Sequence, residues 1–275
     1  MTAEEADTTF VTAAIDIGRK ELSGETARPF SFYAEHLKAL ASLGIPLVVY
    51  GVADLGFREQ AHQVLVPFQQ GTLESLPGFD TIQEIRTSEN WRDQAAWLRS
   101  SPQACLPHYN PLVMSKLGWL ADEARLNRFG TKHFAWIDAG ISHTVPLQLL
   151  SKTLHGAALE NMLRKFLLIC FPYRASTEVH GFELAAMERL AGGRTVEWVA
   201  RGGFFGGLAD YVVEANNVYQ SMLSYTLHQR LMGTEESILT ILGYLHPEIF
   251  ETYFVGNDGK IWPFFADLAD RRADR

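Results

Sequence analysis

The 275-residue chain carries a formal charge of -8 at pH 7, with 47% hydrophobic and 20% charged residues. That balance belongs to a globular protein with a sizeable core. The acidic excess argues against the basic face of a nucleic-acid binder or a polybasic membrane anchor. Met1 to Thr9 lacks the order of a signal peptide, and no apolar run reaches the ~18 residues that span a bilayer, so the chain is expected to be cytoplasmic without a transmembrane segment. Cys105 and Cys170 fit no metal spacing and read as buried small hydrophobes of a reduced compartment. The length suits a single α/β domain over the whole of 1–275.

In chain order, Phe10 to Ile15 reads as a first buried strand, followed by a loop from Asp16 to Glu25 that is broken by Gly18 and Gly24. Phe30 to Leu43 has helical spacing and stops at Gly44. Ile45 to Val52 is a second strand, so the opening is strand, helix, strand with a right-handed crossover. Between Ala53 and Pro107 the pattern is weaker. Phe57 to Val66 reads as a helix and a short strand, Phe79 to Arg86 as a strand, and Asn90 to Ser100 as a helix. Tyr109-Asn110-Pro111 opens a long helix ended by Gly130. His133 to Ile137 is then an apolar run without alternation, which suits a strand covered on both faces.

Asp138 must emerge at the carboxyl end of that strand, because a buried strand cannot hold an unpaired charge. In open α/β sheets this edge binds ligands, and Ala139-Gly140 leave room for a bulky charged group. Asp16 and Arg19 fall at the same edge, after the first strand. The alternative for Asp138 is a carboxylate that caps the next turn. Further on come a helix from Leu154 to Arg164, a strand from Phe166 to Phe171 and a helix from Gly181 to Ala191. A strand from Thr195 to Ala200 runs into Arg201-Gly202-Gly203-Phe204-Phe205-Gly206-Gly207, read as a glycine-rich connection to a helix over Leu208–Met232. Its phenylalanines, with Trp136, wall a sugar-sized pocket or belong to the core. Thr234 caps a helix headed by Glu235-Glu236, which are either capping charges or a base or nucleophile in a pocket. Ile249 to Trp262, through Asn257-Asp258-Gly259, reads as a closing hairpin. His143 and His246 are either satisfied histidines or metal ligands. No G-x-S-x-G elbow, H-E-x-x-H pair or Walker-type loop is present.

These residues together resemble the HtrL/YibB (WlaTC-type) family of bacterial proteins, regarded as glycosyltransferases. The resemblance rests on Phe10-Val11-Thr12-Ala13 with Ile17-Gly18-Arg19, on Tyr109-Asn110-Pro111 with Ser115-Lys116, on Trp136 to Gly140, on Gly202 to Gly207 and on Glu235-Glu236-Ser237. A second, local resemblance is to the retaining galactosyl- and N-acetylgalactosaminyltransferases of the blood-group A/B type, whose glycine-phenylalanine segment and later acidic pair occur here in the same order. The resemblances imply a GT-A-like fold, a Rossmann-like nucleotide-binding mixed sheet flanked by helices. They imply transfer of a hexose from a nucleotide-sugar donor, a UDP-sugar, to a glycan acceptor in surface polysaccharide or lipooligosaccharide synthesis, with retention favoured.

The donor site is then expected to use Thr12, Ala13, Asp16, Arg19, Lys116, Asp138, Ala139, Gly140, Gly202 and Gly203. Glu236 is the expected catalytic carboxylate, with Glu235 beside it. GT-A enzymes usually carry Asp-x-Asp, and here the last position is Gly140. Asp138 is therefore expected to bind a divalent Mn or Mg ion alone, to share it with His143 or His246, or to contact the ribose. Nucleotidyltransfer is a poor match because Ala14 to Glu25 lacks a basic glycine-rich loop. A catalytically degenerate nucleotide-sugar-binding module is the alternative that Asp138-Ala139-Gly140 favours and Glu235-Glu236 opposes.

Overall fold

Buried, unalternating strands stack side by side only when helices cover both faces, and the computed structural model has that arrangement. It describes residues 7–24, 27–51, 62–69, 71–76 and 78–273. The first half runs β1 (Thr8–Ala14), α1 (Phe30–Ala41), β2 (Leu47–Gly51), β3 (Gln63–Pro67), α2 (Phe79–Thr87), α3 (Glu89–Arg92), α4 (Pro102–Cys105), α5 (Tyr109–Leu126) and β4 (His133–Ile137). The second runs α6 (Leu147–Thr153), α7 (Ala157–Met162), β5 (Phe166–Pro172), a hairpin of β6 (Glu178–Val179) and β7 (Phe182–Glu183), and α8 (Leu184–Leu190). It ends with β8 (Trp198–Leu208), α9 (Ala209–His228), α10 (Glu235–Leu245), β9 (Phe250–Phe254) and α11 (Trp262–Ala273).

The main sheet has seven strands in the order β3-β2-β1-β4-β8-β5-β9. β1, β2, β3 and β4 are mutually parallel, β8 is antiparallel to both its neighbours, and β9 is parallel to β5. The fold is thus α/β, a Rossmann-like mixed sheet flanked by helices. A row of rings crosses one sheet face: Tyr50, Trp119 of α5, Trp136, Phe205, Phe166 and Phe250, with successive centroids 5.0 to 6.3 Å apart. Burying each such ring contributes roughly 1.5–3 kcal/mol. On the opposite face Phe204 packs against Phe264 and Phe265 of α11.

Several expectations change in three dimensions. Arg201 to Gly207 is not a connection but the middle of β8, paired Ile137↔Phe204 and Ala135↔Gly206 with β4. Phe204 and Phe205 are wholly buried on opposite sheet faces and wall no pocket. A Cβ on Gly206 would overlap the Phe134 carbonyl, and one on Gly207 the Lys165 carbonyl, so this glycine pair lets β8 sit tightly between β4 and β5.

Phe79–Arg86 forms helix α2 rather than a strand, because Ile82 and Ile85 share one buried helical face. The helix expected over Asn90–Ser100 stops at Arg92, and only Leu98–Ser100 makes a further 3-10 turn. The closing hairpin is absent: β9 pairs in parallel with β5, and the chain after Asn257-Asp258-Gly259 enters α11, whose Phe264, Phe265 and Leu268 are buried. Cys105 is exposed at the end of α4, whereas Cys170 is buried as expected. Glu25, Val52 and the Phe57–Ala61 part of the expected helix lie outside the described residues.

Candidate active site

A cleft of about 600 Å³ opens at the carboxyl ends of β1 and β4. β1 ends in Ala13 to Ile17 and the 3-10 turn Arg19–Glu21, while β4 ends in Asp138-Ala139-Gly140. Because β8 runs the other way, its early residues Arg201 to Gly203 lie beside the end of β4, where the Asp138 N–H donates to Gly203 O at 3.0 Å. The N-terminal turns of α5 and α10 complete the floor. Ser237 Oγ accepts from the Thr234 N–H at 3.3 Å and donates to Val179 O at 3.1 Å, tying the head of α10 to the β6–β7 hairpin.

Lys116 of α5 is the centre of this floor. Its buried ammonium donates to Glu235 Oε1 at 2.8 Å and to Gly202 O at 3.0 Å, and pairs with Asp138 Oδ1 at 2.9 Å. Burial alone would depress its pKa, but the two carboxylates hold it well above the ordinary lysine range. Asp138 Oδ1 also accepts from Trp136 Nε1 at 2.8 Å, so the last ring of β4 fixes the carboxylate that leaves it.

The two neighbouring glutamates are driven apart. Burial, reinforced by Glu236 and Asp138, outweighs Lys116 and pushes Glu235 up to about 7. Burial also works against the Glu236 anion, but Arg201, His180, the Gly202 N–H and Lys116 together hold its pKa below the ordinary value. Gly202 N–H donates to Glu236 Oε1 at 2.7 Å and Arg201 Nη1 to Oε2 at 3.4 Å. His180 Nδ1 lies 3.1 Å from Oε2, near enough to pair when protonated although outside hydrogen-bond alignment. A Cβ on Gly202 would overlap the Glu235 carboxylate, so this glycine of β8 makes room for the acidic pair, whereas one on Gly203 would approach Ile261.

Of the residues expected from sequence, Ala13, Asp16, Arg19, Lys116, Asp138, Ala139, Gly140, Gly202, Gly203, Glu235 and Glu236 all line this cleft, as does His143. Thr12 does not: it is fully buried within β1. His246 does not either. It sits past the end of α10 against Glu248 at 2.9 Å, away from Asp138, because the helix that begins at the cleft carries its far end out of it. Lys116 is a clamp on two carboxylates rather than a free cation. Arg19 keeps its Nη1 on Tyr33 Oη at 2.5 Å, with its guanidinium against the Tyr33 and Tyr109 rings and no carboxylate paired to it among the described residues. The sequence reading missed Tyr33, Tyr109 and His180 and gave Arg201 no role. His180 carried one signal, its position before Gly181 in a two-residue turn where both residues have positive φ (52° and 88°).

A divalent cation can be tested against these donors. Among the described residues no group of three or more His, Cys, Asp and Glu side chains could hold a metal ion. Asp138 Oδ1 is taken by Lys116 and Trp136, leaving Oδ2. Mg²⁺ and related ions commonly take one or two carboxylates plus substrate phosphates. The donor set therefore fits a cation that arrives with a diphosphate, and not one caged by protein alone.

Fold and cleft define an α/β protein with an acidic, cation-clamped site at the carboxyl edge of its sheet. The chain belongs to the HtrL_YibB family, described as bacterial proteins of unknown function, whose family model matches residues 6–266. No curated protein matches it. Among solved structures it is similar to 4-diphosphocytidyl-2C-methyl-D-erythritol synthase from Anaerococcus prevotii DSM 20548. That match has 8% identity and a TM-score of 0.40, over 99% of this chain and 100% of that one. No helix among the described residues is long and apolar enough to cross a membrane.

Proposed function

We propose that this protein is a GT-A-like glycosyltransferase that moves a hexose from a nucleotide-sugar donor, a UDP-sugar, to a glycan acceptor in surface polysaccharide or lipooligosaccharide synthesis. The observation that carries the reading is the acidic pair at the head of α10, Glu236 held by the Gly202 N–H and Arg201 and Glu235 by Lys116, in one cleft at the sheet's carboxyl edge. Pairs of carboxylates pushed in opposite directions are suited to distinct roles in one reaction.

The donor diphosphate lies at the ends of β1 and β4, where Arg19 offers a cation not committed to a carboxylate. A divalent Mn²⁺ or Mg²⁺ held by Asp138 Oδ2 and the phosphates would neutralise charge on the leaving diphosphate. Ala139 and Gly140 leave the backbone open to the donor. Glu236, oriented by Gly202 N–H and Arg201, faces the anomeric carbon as an anion. There it stabilises oxocarbenium character or attacks directly, which gives retention. Glu235, with its pKa near neutrality, is suited to accept the acceptor hydroxyl's proton. Lys116 keeps Asp138, Glu235 and the Gly202 carbonyl in register and needs no contact with substrate for that.

Calorimetry with a panel of UDP-hexoses, with and without Mn²⁺, tests the reading, together with assay of donor hydrolysis. Binding with slow hydrolysis is expected. Binding without any turnover would favour the degenerate binding module, and absence of binding to every nucleotide sugar would remove the transferase reading altogether.

A further inference from the structure

One wall of the cleft is made by Trp97 between α3 and α4, by Pro102 and Gln103 of α4 and by His180 of the β6–β7 hairpin, and Trp97 behaves differently from Trp91 of α3 behind it. Trp91 is buried, and its Nε1 donates to Gly181 O at 2.9 Å and Met232 O at 2.8 Å. Trp97 is 43% exposed and lines the cleft. Its Nε1 nevertheless donates to Glu178 Oε1 at 3.0 Å, and Glu178 is only 8% exposed. The other oxygen of Glu178 accepts the Gly181 N–H at 2.8 Å, while Gln103 Nε2 donates to His180 O at 2.9 Å. The indole is therefore held by a buried carboxylate whose own position is set by the hairpin that carries His180.

We propose that Trp97 is the stacking platform of a saccharide subsite, its indole held by Glu178 so that an aromatic face stays open to the cleft. One face of a pyranose presents C–H groups that carry partial positive charge, and an indole face presents the negative side of its quadrupole. A ring already fixed by its N–H loses little freedom when a sugar settles on it. His180 and Arg201, which line the same cleft, supply donors for the sugar hydroxyls. A merely stranded surface tryptophan needs no such anchor. Trp262 is equally exposed at 44% but does not line the cleft. Naming the sugar as the acceptor rests on the transferase reading above, whereas the subsite itself does not.

Saturation-transfer NMR with methyl β-glucopyranoside, methyl β-galactopyranoside and methyl α-mannopyranoside, with and without UDP, tests this. At least one glycoside should be saturated on one ring face by the wild type. That signal should fall about tenfold in Trp97→Ala, partly in Trp97→Phe, and not at all in Trp262→Ala. Should Trp97→Ala fail to fold, Trp97→Phe and the ¹⁹F resonance of Trp97 in 5-fluorotryptophan-labelled protein give the same readout. No saturated glycoside, or saturation unchanged in the Trp97 variants, overturns the subsite. UDP-hexose calorimetry separates the two ideas. Nucleotide binding without a Trp97-dependent sugar removes only the subsite. A Trp97-dependent sugar without nucleotide binding leaves the subsite standing and removes the transferase reading.

Discussion

At Glu236, helix-start geometry alone predicts a pKa tending downward, and the direction is the same in the structure. The helix start is not what achieves it: Arg201, His180, the Gly202 N–H and Lys116 overcome the penalty of burial. Glu236→Gln should lower transfer roughly 10³-fold while leaving donor affinity near normal, measured by turnover and calorimetry. A variant with wild-type turnover would reduce the pair to capping charges. Glu235 makes a pH prediction. Its folded pKa of about 7 exceeds the ordinary 4.5, so between those values the native state holds a proton that the unfolded chain has lost. Its contribution is full below about 4.5 and is lost as pH rises through 7. Glu236 works in the opposite sense, its contribution present above the ordinary range and lost as pH falls through its depressed value. Melting temperatures between about pH 5 and about pH 8 should therefore decline less in Glu235→Gln than in the wild type, and parallel curves would show that Glu235 is not raised. Lys116→Met strands two carboxylates beside each other and should cost roughly 3–5 kcal/mol by denaturant unfolding at neutral pH, less in acid where the carboxylates protonate.

At the scale of elements, β8 carries two glycine pairs whose jobs differ although their sequence is the same. Gly206→Ala places a methyl against the backbone of β4, which cannot retreat without breaking the sheet, and should destabilise the protein by roughly 2 kcal/mol or more. Gly202→Ala meets the Glu235 side chain instead. It should keep most of the stability and lose most of the turnover, because the acidic pair must move. Paired melting and activity measurements check the contrast, and equal loss of stability in both variants would contradict it. The glycine repeat was visible in the sequence, yet it read as a connection. A strand signal needs side chains, and four of the seven residues from Arg201 to Gly207 are glycine. Only the β4 and β5 partners show that these residues are paired. The partial alternation of Phe79 to Arg86 is a weak strand signal, because Ile82 and Ile85, three residues apart, would fall on opposite faces of a strand but share one face of α2.

For the whole molecule, the proposed donor would touch β1, β4, β8 and the head of α10 at once, so its binding should stabilise global unfolding. UDP at about a hundred times its Kd should add about 2.7 kcal/mol and raise the melting temperature. Mn²⁺ should add to this only when UDP is present, because Asp138 offers it one free carboxylate oxygen. An equal shift with Mn²⁺ alone would point to a protein-held metal elsewhere. The sequence by itself determined the buried strands β1, β2, β4 and β5, the long helices α1, α5 and α9, and the emergence of Asp138 at a strand end. Each of these follows from local burial and periodicity, which a chain writes into neighbouring residues. Only the tertiary structure decided that β8 runs antiparallel between β4 and β5, that His246 leaves the site, and that Lys116 joins Asp138 to Glu235. The contacts behind these choices join residues far beyond one turn or strand, from Lys116 with Asp138 and the β4–β8 ladder to Lys116 with Glu235, 119 positions apart. Their energies depend on which elements the core brings together, and no short window of sequence contains that information.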